Sequence, residues 1–400
     1  MATTRLATLW WATMAAGLLI WASVVPGQLQ GQDARDATTP PTGSTSASAS
    51  STAYRLYVAN ESSDILSRVV FVPGEGARVE AEVPVGIMPM EPDSPHGLAI
   101  SPDGEFIYVS LAHGTPFGYA WKLHAGPDTL VARTTLGRFP ASMGTTPDGE
   151  FLLVVNFNLH GDMVPSDFSV VHTPSMTEVA RVETCLMPHG SRVNSTGTRH
   201  YSTCMHSEQL VEFDLTTFQI SSRFSVAPGM EGSLELDDRG EHHSSHHAPE
   251  RICSPTWATP GTGSRQDRVV YVACNALDEV LEVDVDGWEV LRRFPTGRAP
   301  YNLEPTPDGR LLVVSLKGGQ GVSIIDLDAG KEVARLETSR AITHGVAMSP
   351  DGRYAFISNE SVGSLPGSMD VIDLETLERV AWVELRHQSG GISFWRMTEN

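Results

Sequence analysis

One four-residue turn recurs along the chain, and it limits what the chain can become. Ser101-Pro102-Asp103-Gly104, Thr146-Pro147-Asp148-Gly149, Thr306-Pro307-Asp308-Gly309 and Ser349-Pro350-Asp351-Gly352 each run straight into an apolar, β-rich segment: EFIYVSL, EFLLVVNF, RLLVVSL and RYAFISN. Proline presets φ, aspartate bonds its own backbone and glycine accepts positive φ, so each motif predicts a hairpin turn between two strands. Asn194 to Gly197 before TRHYSTC is a degraded copy, and Pro260 to Gly263 before SRQDRVVYVAC is a sixth. The closing glycines at 104, 149, 197, 263, 309 and 352 are 45, 48, 66, 46 and 43 residues apart. All but the third step match the length of a four-stranded propeller blade. The long step carries an insertion, residues 227–252.

Behind each of these strands come two more alternating segments, as in VSIIDLDAGKEVARLE (322–337) and MDVIDLETLERVAWVEL (369–385). A seventh copy is split between the ends. LYVANESSDILSRVVF (56–71) lacks an innermost strand before it, and GGISFW (390–395) is such a strand with nothing after it. Joining the two removes the open edges. The expectation is an all-β, seven-bladed β-propeller over residues 54–400, its ring closed by the C-terminal strand in the N-terminal blade.

With LYVAN, VYVAC and the repeated SPDG-type turns, the chain resembles the YVTN or YncE-like family of exported seven-bladed propellers over about residues 54 to 396. That superfamily also resembles the propellers of cytochrome d1, nitrous oxide reductase and bacterial lactonases. The resemblance implies the fold and export. It leaves the chemistry open, because one propeller hosts many functions.

In an up-and-down blade the starts of the innermost strands (A), the ends of the second strands (B) and the loops between blades share one face. Counting eight residues back from each turn glycine gives His96, His189 and His344, each followed by glycine, and Ala141, Pro255 and Tyr301 in the other copies. Three histidines in one register near the axis are candidate metal ligands; each alone could equally cap a loop carbonyl. Tyr301, Asn302 and His206 are candidate cofactor contacts on or near that face. Asn302 and Glu304 follow Tyr301 as possible oxygen ligands, although polar channel lining explains them better. Trp257 and Trp395 read as core wedges.

Cysteines fall in the same register. Cys185 and Cys253 precede an A strand and Cys204 and Cys274 end a B strand, which suggests disulfides Cys185–Cys204 and Cys253–Cys274, with pairing between blades as the alternative. A Cys/Met/His copper site is the other reading, since sulfur and imidazole suit copper. The insertion adds His242, His243, His246 and His247, at spacings that let two imidazoles meet on one helical turn. Such a tract hints at metal or at a solvated loop. The expected cofactor is copper or another transition metal. No CxxCH motif is present, which disfavours covalent c-type haem.

The 28 Lys and Arg against 48 Asp and Glu give a net charge of −20, which argues against a nucleic-acid partner. Residues 7–25, ATLWWATMAAGLLIWASVV, form an uncharged apolar run after Arg5, so residues 1–27 read as a signal peptide or N-terminal anchor and the membrane is met only there. Residues 28–53 have a linker's composition. Three functions fit. One is an exported, monomeric propeller holding a metal or redox cofactor; the others are a non-catalytic module for a small molecule or envelope protein, and a lactonase-like hydrolase.

Overall fold

A computed structural model describes residues 52–88, 90–113, 117–237 and 252–399. The N-terminal segment 1–27, nearly all of the linker 28–53 and the histidines 242, 243, 246 and 247 lie outside the described residues. The described chain forms seven antiparallel sheets, a seven-bladed β-propeller. Blade 1 is built from both ends of the chain: Ser389–Glu399 is strand A, Thr52–Asn60 strand B, Ile65–Val72 strand C and Gly76–Pro84 strand D. Strand B therefore begins inside the segment read as linker. Blades 2 to 7 follow in order, each with A innermost, and blade 4 adds a fifth two-residue strand, Gly232–Ser233, from the insertion.

The repeated turns act as their residues dictate. In four of them the Ser or Thr hydroxyl donates to the Asp carboxylate 2.5 Å away, and the same carboxylate accepts the backbone N–H two residues on. These aspartates are turn formers on the face opposite the histidines. Between blades lie layers of fully buried aliphatic and aromatic side chains, such as Tyr54, Leu56, Val58, Phe71, Phe356 and Val371 between blades 1 and 7. Burying such a side chain stabilises by about 1.5–3 kcal/mol, so the ring is held by its inter-blade faces.

Both disulfides form as the register suggests. Cys185–Cys204 and Cys253–Cys274 join Cα atoms 6.0 and 4.5 Å apart, and no cysteine is free. The sulfurs are buried and bonded to one another, so the alternative copper site has no thiolates to use.

The glycine after each inner histidine has a packing reason. A Cβ on Gly97 would lie 2.0 Å from the Ala141 carbonyl oxygen, and one on Gly190 would lie 2.5 Å from that of Thr256. Neighbouring A strands converge at the axis, and only a residue without a side chain lets them touch.

Candidate functional site

Two residues before each inner position the backbone turns through a left-handed conformation. Ser94, Phe139, Met187, Ser254, Ala299, Ile342 and Gln388 all have φ between 47° and 58°. Seven copies of that turn bring seven strands onto the axis. They also correct one register: in blade 5 the residue matching His96 is Thr256, not Pro255, because Pro255 occupies the place of Pro95 and pairs with Cys274 as Pro95 pairs with Leu111. The irregular turn Gly263–Arg265 displaced the count. The inner ring is thus Gly390, His96, Ala141, His189, Thr256, Tyr301 and His344.

Side chains from this ring and from the adjoining loops close into a collar. His96 meets His344 with ring centroids 5.8 Å apart, and His344 meets Tyr301 at 4.6 Å. Tyr301 reaches past Thr256 to His189 at 5.3 Å, and His189 meets Phe157 at 4.6 Å. Phe157 meets Phe139 at 5.9 Å, and Phe139 returns to His96 at 5.5 Å. Six rings encircle the mouth of the axial channel.

The three histidines gather at one end of the torus, but they are not equivalent. His189 Nδ1 lies 2.8 Å from the Thr256 carbonyl and its Nε2 lies 3.0 Å from the Tyr301 hydroxyl, so both nitrogens are engaged. The carbonyl fixes Nδ1 as the protonated nitrogen, and Nε2 accepts from tyrosine. Burial pushes this imidazole down to about 3, so it stays neutral. His96 Nδ1 lies 2.7 Å from Glu61 Oε1, and Gln388 donates to the other oxygen of that carboxylate. Burial opposes charge on His96, but the charge and hydrogen bond of Glu61 outweigh it and hold the imidazole above its ordinary value. His344 is 3 % exposed, and neither of its nitrogens makes a hydrogen bond. Burial, then the charge of Lys317, push it well below its ordinary value. Glu360 Oε1 lies 3.4 Å from its Nε2.

Charge sits in one sector of the mouth. Lys317 Nζ is 3.0 Å from Glu360 and lies over the Tyr301 ring at 4.1 Å. Burial opposes the ammonium charge, but Tyr301 and Glu360 outweigh it. Glu61, Lys317 and Glu360 occupy one repeat position, the first residue after strand B, in blades 1, 6 and 7. The matching residues elsewhere are Ala112, Phe157, Met205 and Asn275, so the opposite sector is mostly apolar. Outside the collar His113 and His160 face each other at 5.1 Å, both against Phe139.

Of the other candidates, Tyr301 is a full member of the collar, Asn302 lies in the channel behind it, and His206 is exposed on the turn after strand B of blade 4. Glu61, Lys317, Glu360, His113 and His160 were not singled out from the sequence. Comparing the residue after each B strand would have found the first three. Among the described residues no group of three or more His, Cys, Asp or Glu side chains is disposed to hold a metal ion.

No protein-family profile matches the chain, and no curated protein matches it. Solved structures do resemble it. A chain of the Kuenenia stuttgartiensis hydrazine synthase superposes with a TM-score of 0.58 at 16% identity, covering 80% of this chain and 95% of that one. A functionally unknown protein from Desulfotomaculum acetoxidans gives 0.64 at 13% identity, covering 85% and 98%. The dihydro-heme d1 dehydrogenase NirN, in complex with DHE, gives 0.55 at 16% identity, covering 84% and 74%. At these identities the likeness is one of fold.

Proposed function

We propose that this protein is an exported propeller that binds a transition metal, or a metal-containing redox cofactor, at the His96–His344 edge of its collar. One observation carries the reading. A carboxylate holds His96 by Nδ1 and leaves Nε2 available, beside a buried His344 whose nitrogens lack hydrogen bonds. Metal-ligating histidines are oriented in this way by a carboxylate on the other nitrogen. His344 remains neutral, as a ligand must. Two imidazoles leave the remaining coordination positions to solvent or to the cofactor's own donors. A bound transition metal would supply a redox or Lewis-acid centre. Lys317 and Glu360 would set the charge beside it, and the Phe139 and Phe157 side would limit water.

Two disulfides favour an oxidising compartment, in keeping with export and with the narrower kinship to YVTN or YncE-like propellers. Two of the structural neighbours are, by their names, a hydrazine synthase and a heme-handling dehydrogenase, which accords with a redox reading.

Titrating Cu²⁺ or Co²⁺ into protein whose histidines 242, 243, 246 and 247 are replaced by serine tests the proposal. One equivalent should bind with nitrogen ligation, and His96→Ala with His344→Ala should abolish it while His113→Ala does not. Affinity unchanged in the double variant would sink the reading. The Glu61–His96 pair also favours a second one, in which a raised imidazole acts as general base on a lactone. Hydrolysis by metal-free protein that is lost in Glu61→Gln would select it.

A further inference from the structure

Behind the collar, on its other side from His113 and His160, the axial channel widens into a cavity of about 300 Å³. That is the lower end of the size range of small-molecule sites. Its lining is divided. Arg192, Trp257, Asn302 and Glu304, from blades 4, 5 and 6, make one wall; Val346, Met348, Ile392 and Phe394, from blades 7 and 1, make another that is chiefly aliphatic and aromatic. Such a division suits a molecule with a polar head and an apolar body.

The polar wall is under-satisfied. Asn302 is 4 % exposed and Trp257 is 7 % exposed, yet neither Asn302 Oδ1 nor Trp257 Nε1 has a hydrogen-bond partner. Glu304 Oε2 also lacks one. The Arg192 guanidinium lies over the Trp257 ring at 5.0 Å and makes a single hydrogen bond, to the Ser191 carbonyl; its contact with Glu304 is a loose 3.4 Å. Buried polar atoms in native proteins are paired in the great majority of cases, with protein, water or ligand. Two unpartnered atoms, Asn302 Oδ1 and Trp257 Nε1, converge on one void with the loosely held Arg192–Glu304 pair, and point to something that pairs them.

The chemistry of the wall selects the head group. Arg192 and the Trp257 N–H are donors, and a stacked guanidinium with free N–H groups is the standard partner of a carboxylate. Glu304 is the opposing charge. Burial holds its carboxyl above the ordinary range, against the pull of Arg192. In its protonated form it donates a hydrogen bond to an incoming anion instead of repelling it. We infer that the axial cavity is a binding site for a small monocarboxylate with an apolar tail, its head on Arg192 and Trp257 and its tail against Met348 and Phe394. His96 and His344 close the collar end of the same cavity, so the site borders the metal reading, but its head-group contacts lie on Arg192 and Trp257 and need no metal.

Calorimetric titration of the full chain with acetate, butyrate, hexanoate and benzoate, in the presence of a chelator, tests it. Saturable binding in the millimolar range or tighter is expected, strengthening roughly three- to fourfold per buried methylene. Arg192→Gln should weaken binding roughly ten- to a hundredfold, and Trp257→Phe, which keeps the ring and removes the donor, by roughly tenfold. Glu304→Gln keeps a donor without the charge and should bind as well or more tightly. Thermal unfolding matching that of the parent would show that each variant folds. No saturable binding, equal binding of the matched alkylamines, or affinity unchanged in both Arg192→Gln and Trp257→Phe would each overturn the inference.

Discussion

Acid should destabilise this propeller through histidines that have no catalytic task, and His200 isolates the effect. Its side chain is 1 % exposed, stacked on Phe168 at 4.7 Å with an interplanar angle of 25°, and neither ring nitrogen has a hydrogen-bond partner. Burial, with a smaller push from Arg192, lowers its pKa from 6.5 to about 3. The folded-state value is depressed, so the unfolded chain takes up a proton first as pH falls. Stability is therefore complete above the unfolded value and is lost progressively below it. Between about pH 7 and about pH 5 the unfolded imidazole becomes almost fully protonated while the folded one stays neutral, which costs about 2 kcal/mol from this residue alone. His200→Phe keeps a ring against Phe168 and removes the titration. Its extra volume shifts stability by about 1–3 kcal/mol at every pH alike, so the quantity that decides is the difference between two pH values. Urea unfolding with disulfides intact should show the variant losing about 2 kcal/mol less than the parent over this interval. Equal losses in parent and variant would mean that His200 is hydrated or protonated in the folded state, and the reasoning would fail.

Three further outcomes follow from named contacts. Glu61→Gln should lower the His96 pKa from above its ordinary value of about 6.5, since burial and Lys317 are then opposed only by the smaller effect of Glu360; nuclear magnetic resonance titration of the His96 ring reads this, and an unchanged value would discount the Glu61 contact. Gly97→Ala places a Cβ 2.0 Å from the Ala141 carbonyl and should cost about 3 kcal/mol or prevent folding, whereas Gly144→Ala, with its nearest neighbour at 3.9 Å, should be nearly neutral; comparable thermal shifts in the two would contradict the close approach of A strands. Replacing Cys253 and Cys274 together by alanine opens a loop with a sequence separation of 21 and should lower stability by about 3 kcal/mol in chemical denaturation; thiol titration of unreduced parent protein should find no free thiol.

The architecture was legible because it rests on local chemistry repeated at a fixed interval. Pro, Asp and Gly announce each turn, alternating apolar residues announce each strand, and the two incomplete halves, 56–71 and 390–395, can only complete one another. The disulfides followed from the same register. The site was legible in part. His96, His189, His344 and Tyr301 share a repeat position and do meet, but their roles depend on partners that no local pattern reveals. His189 is engaged because Tyr301 leans past Thr256, a reach of 112 residues in sequence. His96 is tuned by Glu61, whose position in the split blade hid it from a count based on complete repeats. Lys317 and Glu360 look like ordinary loop charges until blades 6 and 7 are placed side by side. Trp257, read as a core wedge, does pack in the core between blades 5 and 6 and also borders the channel, a second role that the one-residue offset of blade 5 hid from the count.

Elemental analysis tests the central claim most directly: untagged protein, with residues 242, 243, 246 and 247 changed to serine and purified without added metal, is compared with the same protein carrying His96→Ala and His344→Ala. The account predicts close to one equivalent of a transition metal in the first and almost none in the second. Absence of stoichiometric metal from the first, with no uptake on addition of copper, cobalt or zinc, or equal metal in both, would contradict it.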